Sequence, residues 1–169
     1  MRLEEELGEL LRTKSMTLAV AESCTGGLVS DMITNVPGSS MYFLAGLVTY
    51  SNDSKVDLLG VCRETLESYG AVSEQVVIEM ARGVRKTTGA DIGAAVTGIA
   101  GPDGGTEQKP VGLVYFAVDD GRAILADRAF LSGDRREVKR SSSQRLIEII
   151  VKSLREQVVS GDPRPIGPY

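Results

Sequence analysis

The sequence contains no histidine and no tryptophan among its 169 residues, and its only cysteines are Cys24 and Cys62. The absence of histidine excludes a Ser-His-Asp triad and any metal site built on imidazole ligands. Two cysteines are too few for a thiolate metal cage or a disulfide framework. A nucleophile in this chain must therefore be activated by a lysine, a tyrosine or a carboxylate, and we expect no metal and no other cofactor.

Aromatic residues make up only 5% of the chain, and the net charge is −4 with an isoelectric point near 5.0. Proteins that bind nucleic acid combine a basic surface with stacking aromatic side chains, so we expect no nucleic-acid partner. One local basic run is present, formed by Arg135, Arg136, Lys139 and Arg140. We interpret this run as a solvated helix face with one functional member.

Long apolar runs are also absent, since no segment reaches the roughly 18 consecutive apolar residues of a membrane helix. Residues 1–14 are acidic and periodic, unlike a signal or transit peptide. We therefore expect no membrane partner and a cytoplasmic location. The length fits one domain, which we predict over residues 1–160, followed by a flexible or loosely docked tail at 161–169.

Hydrophobic periodicity predicts eleven elements in the order α-β-α-β-α-α-α-β-β-β-α. The early alternation of strand and helix is typical of an α/β domain, and a late hairpin at 119–121 makes the sheet mixed. We predict a three-layer α/β/α fold with a mixed central sheet. The third helix is expected to be capped by Asn52 or Asp53, and the last by a capping box of Asp134 and Glu137.

Three predicted strands end in unusual polar or glycine-rich sequence, at residues 22–27, 50–55 and 97–105. In open α/β sheets, ligands gather outside the carboxyl ends of the strands. The convergence of these segments predicts a functional site at that edge of the sheet.

Ser23 is predicted to lie where a strand turns into a helix, so its hydroxyl has two interpretations. It caps the helix, or it is a nucleophile that faces free backbone N–H groups at the helix start, near Thr25, Gly26 and Gly27. The two glycines favour the second interpretation, because they form a poor helix start unless something approaches the backbone closely.

Lys55 falls in the first turn of its predicted helix, where the helix dipole disfavours a cation. It is either an exposed surface lysine or a residue that faces the site with a lowered pKa, which a general base for serine requires.

The glycine-rich segment 97–105 follows a predicted strand and includes Thr97, Gly98 and Gly101. It is either a long turn or a nest of backbone N–H groups that binds an anion. It matches neither a P-loop nor a dinucleotide fingerprint. Arg135, next to the cap of the last helix, could hold a phosphate or carboxylate with two hydrogen bonds.

Taken together, several motifs in this order resemble the CinA C-terminal domain family (competence/damage-inducible protein A). The resemblance runs from about residue 7 to residue 154. Its motifs are AESCTGG (21–27), VTYSN (48–52), GAVS (70–73), TGIAGPDGG (97–105), KPVG (109–112) and SGDR (132–135). Lys55 belongs with the second of these motifs.

The resemblance implies a stand-alone nicotinamide mononucleotide deamidase, an amidohydrolase of pyridine nucleotide recycling that forms nicotinate mononucleotide and ammonia. It implies Ser23 as the nucleophile and Lys55 as the base, with Tyr50, Thr97 and Arg135 as partners in the site. Family members tend to self-associate, so we expect a homo-oligomer, with a dimer favoured. Longer relatives carry a further N-terminal domain, whose activity we do not expect here.

A second hypothesis is a non-catalytic nucleotide-binding module with a regulatory role linked to competence or the DNA damage response. Such a module would keep the glycine-rich loop and Arg135 while losing Ser23 or Lys55. Both residues are present, which favours the enzyme. The spacing of residues by itself indicates only a small phosphorylated amide as substrate.

Overall fold

A mixed five-stranded sheet forms the centre of the computed structural model, which describes residues 1–159. The spatial order is β2-β1-β3-β4-β5, where β1 is parallel to both of its neighbours and the remaining pairs are antiparallel. The strands are β1 (Leu18–Glu22), β2 (Phe43–Val48), β3 (Ile92–Gly98), β4 (Leu113–Asp119) and β5 (Ile124–Phe130). The predicted tail at 161–169 and the predicted domain end at residue 160 lie outside the described residues.

Helices cover both faces of this sheet. One face carries α1 (Leu3–Thr13), α2 (Leu28–Thr34) and α6 (Arg135–Val159), and the other carries α3 (Asn52–Leu59), α4 (Arg63–Tyr69) and α5 (Glu74–Thr88). A short 3₁₀ helix, Ser39–Met41, precedes β2. The three-layer α/β/α fold with a mixed central sheet is therefore confirmed. Across residues 1–159, no helix has both the length and the apolar character needed to cross a bilayer.

The two faces of the sheet differ in side-chain size. Larger side chains such as Leu18 and Phe116 pack toward α1 and α6, whereas the face toward α5 presents alanines at positions 19, 21, 95 and 117. Because alternate residues of a strand point to opposite faces, these alanines let α5 lie close to the sheet. A Cβ on Gly83 of α5 would lie 2.0 Å from the Leu59 carbonyl oxygen, so α5 also contacts the end of α3 closely. This packing fixes the position of α3.

The predicted order of helices and strands is confirmed, and so is the capping box of the last helix. The Asp134 N–H donates to Glu137 Oε2 at 2.7 Å, and the Glu137 N–H donates to Asp134 Oδ1 at 2.9 Å. The predicted cap of α3 is wrong. Ser51, not Asn52 or Asp53, caps that helix, with its Oγ accepting from the Ser54 N–H at 3.0 Å. Serine, asparagine and aspartate cap helices equally well, so three adjacent candidates could not be ranked by pattern.

A fully buried carboxylate, Glu22, controls the turn from β1 into α2. One of its oxygens accepts from the Thr25 hydroxyl at 2.6 Å and from the backbone N–H groups of Gly27 and Val29 at 3.0 and 3.1 Å. The other accepts from the N–H and the hydroxyl of Ser30, at 2.9 and 2.7 Å. These bonds satisfy N–H groups that a helix start leaves unpaired, and the negative charge suits the positive end of the helix dipole.

Replacing Glu22 by glutamine tests this arrangement. The amide NH₂ would face donors instead of accepting from them, which leaves buried N–H groups unsatisfied. We expect the free energy of unfolding to fall by roughly 2–4 kcal/mol. The measurement is urea denaturation followed by far-UV circular dichroism.

Glu9→Gln is the matched control, because Glu9 is exposed on α1. We expect its unfolding midpoint to equal that of the wild type. A Glu22→Gln protein with unchanged stability would contradict the role assigned to this carboxylate.

Candidate active site

The carboxyl ends of β1 and β3 open onto a cavity of about 280 Å³, close in size to the smaller ligand pockets of proteins. β1 lies between its two parallel neighbours, β2 and β3. The connection after β1 leads to β2 on one side, and the connection after β2 leads to β3 on the other side of β1. Ligands bind at such switch points. Seven of the ten site residues predicted from sequence line this cavity, namely Ser23, Tyr50, Lys55, Thr97, Gly98, Gly101 and Arg135.

The central contact of the cavity joins Lys55 and Ser23. The Lys55 Nζ donates to Ser23 Oγ at 3.0 Å and to the Thr49 carbonyl oxygen at 2.7 Å. Ser23 is itself fixed to the sheet, since its N–H donates to the Val96 carbonyl oxygen at 3.1 Å. The interpretation of Lys55 as an exposed surface lysine is wrong, because only 1% of its surface is accessible. The residues predicted as nucleophile and base are thus in hydrogen-bond contact.

Burial lowers the pKa of Lys55 to about 8, and the nearby Cys24 opposes this shift only in part. Among residues 1–159, no carboxylate forms an ion pair with Lys55. A desolvated ammonium without a counter-charge gives up its proton more readily, which is the condition for a lysine to act as a general base. Burial raises the pKa of the Cys24 thiol to about 12, so this cysteine is a poor nucleophile although it lines the cavity.

The remaining predicted partners form the other walls. The Thr97 hydroxyl donates to the Ala71 carbonyl oxygen at 2.9 Å and holds the segment before α5 in place. Arg135 connects two sides of the opening: its Nη1 donates to the Gly101 carbonyl oxygen at 2.7 Å, and its Nη2 donates to the Tyr50 hydroxyl at 3.0 Å. Tyr50 is 61% exposed, so this pair lies at the rim of the cavity.

Thr25, Gly26 and Gly27 do not line the cavity. The N–H groups of both glycines are already engaged, that of Gly26 by the Ser23 carbonyl oxygen and that of Gly27 by Glu22. The prediction that this helix start offers free donors is therefore wrong for the glycines. Both have positive φ, +62° and +100°, which explains why glycine stands there. The Thr25 N–H has no hydrogen bond within residues 1–159, and the Cys24 N–H is directed only at its own thiol, so both can donate to a ligand.

Packing inside the protein explains why glycine occurs at two positions of the 97–105 segment, Gly98 and Gly101. A Cβ on Gly98 would lie 2.7 Å from Val114 Cγ2, and one on Gly101 would lie 2.5 Å from Val111 Cγ1. Close contact with β4 and the segment before it thus requires small residues here. The loop lines the cavity, and its glycines are explained without a ligand.

Sequence reasoning assigned no role in the site to eight residues of the cavity wall, namely Cys24, Asn52, Ala71, Val72, Ile99, Ala100, Asp103 and Gly104. All eight lie within the motifs that carry the family resemblance, and Asn52 was also considered as a helix cap. For Ala71 and Val72, the available signal was the motif GAVS at 70–73, which separates two helices. The Thr97–Ala71 hydrogen bond places this motif beside the glycine-rich segment. Asp103 is the carboxylate of the cavity wall. Residues 1–159 contain no group of three or more His, Cys, Asp or Glu side chains that could hold a metal ion.

Known proteins are similar to this chain in sequence and in fold. The family model described as the CinA C-terminal domain matches residues 1–154. A protein of Moorella thermoacetica, named as competence-damage inducible, is 52% identical over 155 residues, which are 92% of this chain and 37% of that protein. The chain thus spans less than two-fifths of that relative's length.

Solved structures agree with the sequence comparisons. The competence damage-inducible protein A of Klebsiella pneumoniae superposes with a TM-score of 0.88 at 33% identity, covering 90% of this chain and 95% of that one. The competence/damage inducible protein CihA of Agrobacterium tumefaciens gives 0.84 at 37% identity, with coverage of 90% and 95%. The family model and these likenesses agree with the motifs around the cavity, and the chain belongs to the CinA C-terminal domain family.

Proposed function

We propose that this chain is an amidohydrolase that converts nicotinamide mononucleotide into nicotinate mononucleotide and ammonia, in pyridine nucleotide recycling. The observation that carries the proposal is the 3.0 Å contact between Lys55 Nζ and Ser23 Oγ in the wall of the cavity. A non-catalytic nucleotide-binding module needs no such pair. Burying a lysine without a counter-charge is costly, and that cost is understandable if the lysine must be neutral to work.

The chemistry follows from this geometry. Neutral Lys55 takes the proton of the Ser23 hydroxyl as Oγ attacks the carboxamide carbon, forming a tetrahedral intermediate. The protonated Lys55 then gives its proton to the amide nitrogen, the C–N bond breaks, and ammonia leaves. Water, deprotonated by the same lysine, then attacks the acyl-enzyme ester. The bond between the acyl carbon and Ser23 Oγ breaks, Oγ takes back the proton from Lys55, and nicotinate mononucleotide leaves.

The negative oxygen of the intermediate requires donors close to Ser23. We assign this role to the N–H groups of Cys24 and Thr25, which directly follow Ser23. Within residues 1–159 the Thr25 N–H has no hydrogen bond, and the Cys24 N–H is directed only at its own thiol. Backbone donors of this kind, fixed before the reaction starts, stabilise an oxyanion strongly. Arg135 at the rim has five N–H donors, and its two internal hydrogen bonds use one N–H on each of Nη1 and Nη2. The remaining donors can bind an anionic part of the substrate.

Ammonia release from nicotinamide mononucleotide by EDTA-treated protein tests the activity. We expect turnover by the wild type, and loss of roughly 100-fold or more in kcat for both Ser23→Ala and Lys55→Met, because each removes one half of the nucleophile–base pair. Lys86→Met is the matched control: Lys86 is exposed near the end of α5 and does not line the cavity. It should retain wild-type kcat and KM.

Two results would change the interpretation. Full activity of Ser23→Ala would show that water attacks the amide directly, without a covalent intermediate. A folded wild-type protein that releases no ammonia would favour the binding module over the enzyme.

The pH dependence of kcat/KM provides a further test. Because the pKa of Lys55 is lowered to about 8, the neutral form is the minor species at pH 7 and the major one above pH 8. We expect kcat/KM to rise about tenfold per pH unit below this pKa and to level off above it. The measurement is ammonia release between pH 6.5 and 9.5. A flat or falling profile in this interval would contradict a neutral Lys55 as the base.

A further inference from the structure

The basic run at the start of α6 divides into two faces. Residues four apart on a helix lie on the same side, so Arg135 and Lys139 share one face, and Arg136 and Arg140 share another. Arg136 and Arg140 are exposed, whereas Lys139 is half-buried. Arg135 reaches the rim of the cavity, and Lys139 follows it one turn further along the same face. The sequence-based interpretation of one functional member in a solvated run does not account for Lys139.

Lys139 lies against the loop that carries the nucleophile. Its Nζ is 3.4 Å from the position that a Cβ on Gly26 would occupy. Its charge also acts on Cys24, where it opposes the larger effect of burial on that thiol's pKa. Since Cys24 lines the cavity, the ammonium of Lys139 stands beside the same loop that bounds the cavity.

Within residues 1–159, the Lys139 ammonium has no hydrogen bond and no ion pair. Glu22 ends β1 next to this loop, but five internal donors already occupy its carboxylate. Arg85, which is also half-buried, pairs with Asp119 at 2.8 Å.

We infer that Lys139 is the second cation of a phosphate subsite, which binds the phosphate of the substrate together with Arg135 on the α6 side of the cavity. The inference rests on the proposed function and makes it more specific. Arg135 contributes a planar, directional group, and Lys139 contributes a compact point charge that adapts to the phosphate oxygens. An anion at this position provides the counter-charge that Lys139 lacks, so the site selects phosphorylated amides over their unphosphorylated analogues.

The experiment compares nicotinamide mononucleotide with nicotinamide riboside, which differ by the phosphate alone. We expect Lys139→Gln to raise KM for the mononucleotide at least tenfold while kcat stays within twofold of the wild type. For the riboside, kcat/KM should stay within twofold. Lys139→Arg, which keeps the charge, should restore most of the affinity for the mononucleotide.

Arg140→Gln is the matched control, because it removes the same charge from the exposed face of the same helix. It should leave the kinetics for both substrates unchanged. An unchanged KM in Lys139→Gln would overturn the inference. An equal loss of kcat on both substrates would also overturn it, because Lys139 would then act on the reacting amide.

Equilibrium binding separates this inference from the proposed function. Calorimetric titration with nicotinamide mononucleotide should show at least tenfold weaker binding to Lys139→Gln than to the wild type. If the wild type binds the mononucleotide through Lys139 but releases no ammonia, the proposed function fails and the subsite stands. If the wild type releases ammonia and Lys139→Gln binds equally well, only the subsite fails. A wild type that binds neither the mononucleotide nor inorganic phosphate overturns both.

Discussion

The buried carboxylate of Glu22 is the constraint on which the site depends. It gathers donors from Thr25, Gly27, Val29 and Ser30, so it fixes both the turn that follows β1 and the start of α2. Ser23 lies within that turn, and its position follows from it. The same carboxylate occupies the amino end of α2, which would otherwise be an anion site. In the proposed reaction, the oxyanion donors therefore come from the residues directly after Ser23, and the phosphate of the proposed substrate is bound by cations from elsewhere in the fold.

The distribution of charge around the cavity is opposite to that of the whole chain. The net charge is −4, yet Lys55 and Arg135 line the cavity, Lys139 lies beside Gly26 in the loop that carries Ser23, and Asp103 is the carboxylate of the cavity wall. Burial rather than ion pairing sets the pKa of Lys55. Desolvation lowers this pKa, and no carboxylate within residues 1–159 forms an ion pair with the ammonium. An acidic surface combined with a basic cavity suits a small anionic substrate and disfavours large polyanions.

Local patterns predicted much of the fold and part of the site. Alternation and helical spacing gave the order of the elements, and the strand ends correctly located the cavity beside Ser23 and Lys55. The wrong predictions share one cause, because each concerned the choice of hydrogen-bond partner for a polar group. Ser51 rather than Asn52 caps α3, and Glu22 rather than a ligand occupies the N–H group of Gly27. Alternative partners of similar chemistry cannot be ranked until the backbone decides which one is within reach.

The sequence by itself determined what chemistry was available: without histidine, a serine could be activated only by a lysine, a tyrosine or a carboxylate. Periodicity also determined the layers, because the periods of strands and helices are properties of local geometry. Only the tertiary structure decided that Lys55 is buried, that it contacts Ser23, and that Lys139 faces the loop that carries Ser23 without a partner within residues 1–159. Desolvation and charge pairing depend on groups brought together from distant parts of the chain, so their strength is set by packing and not by spacing along the sequence.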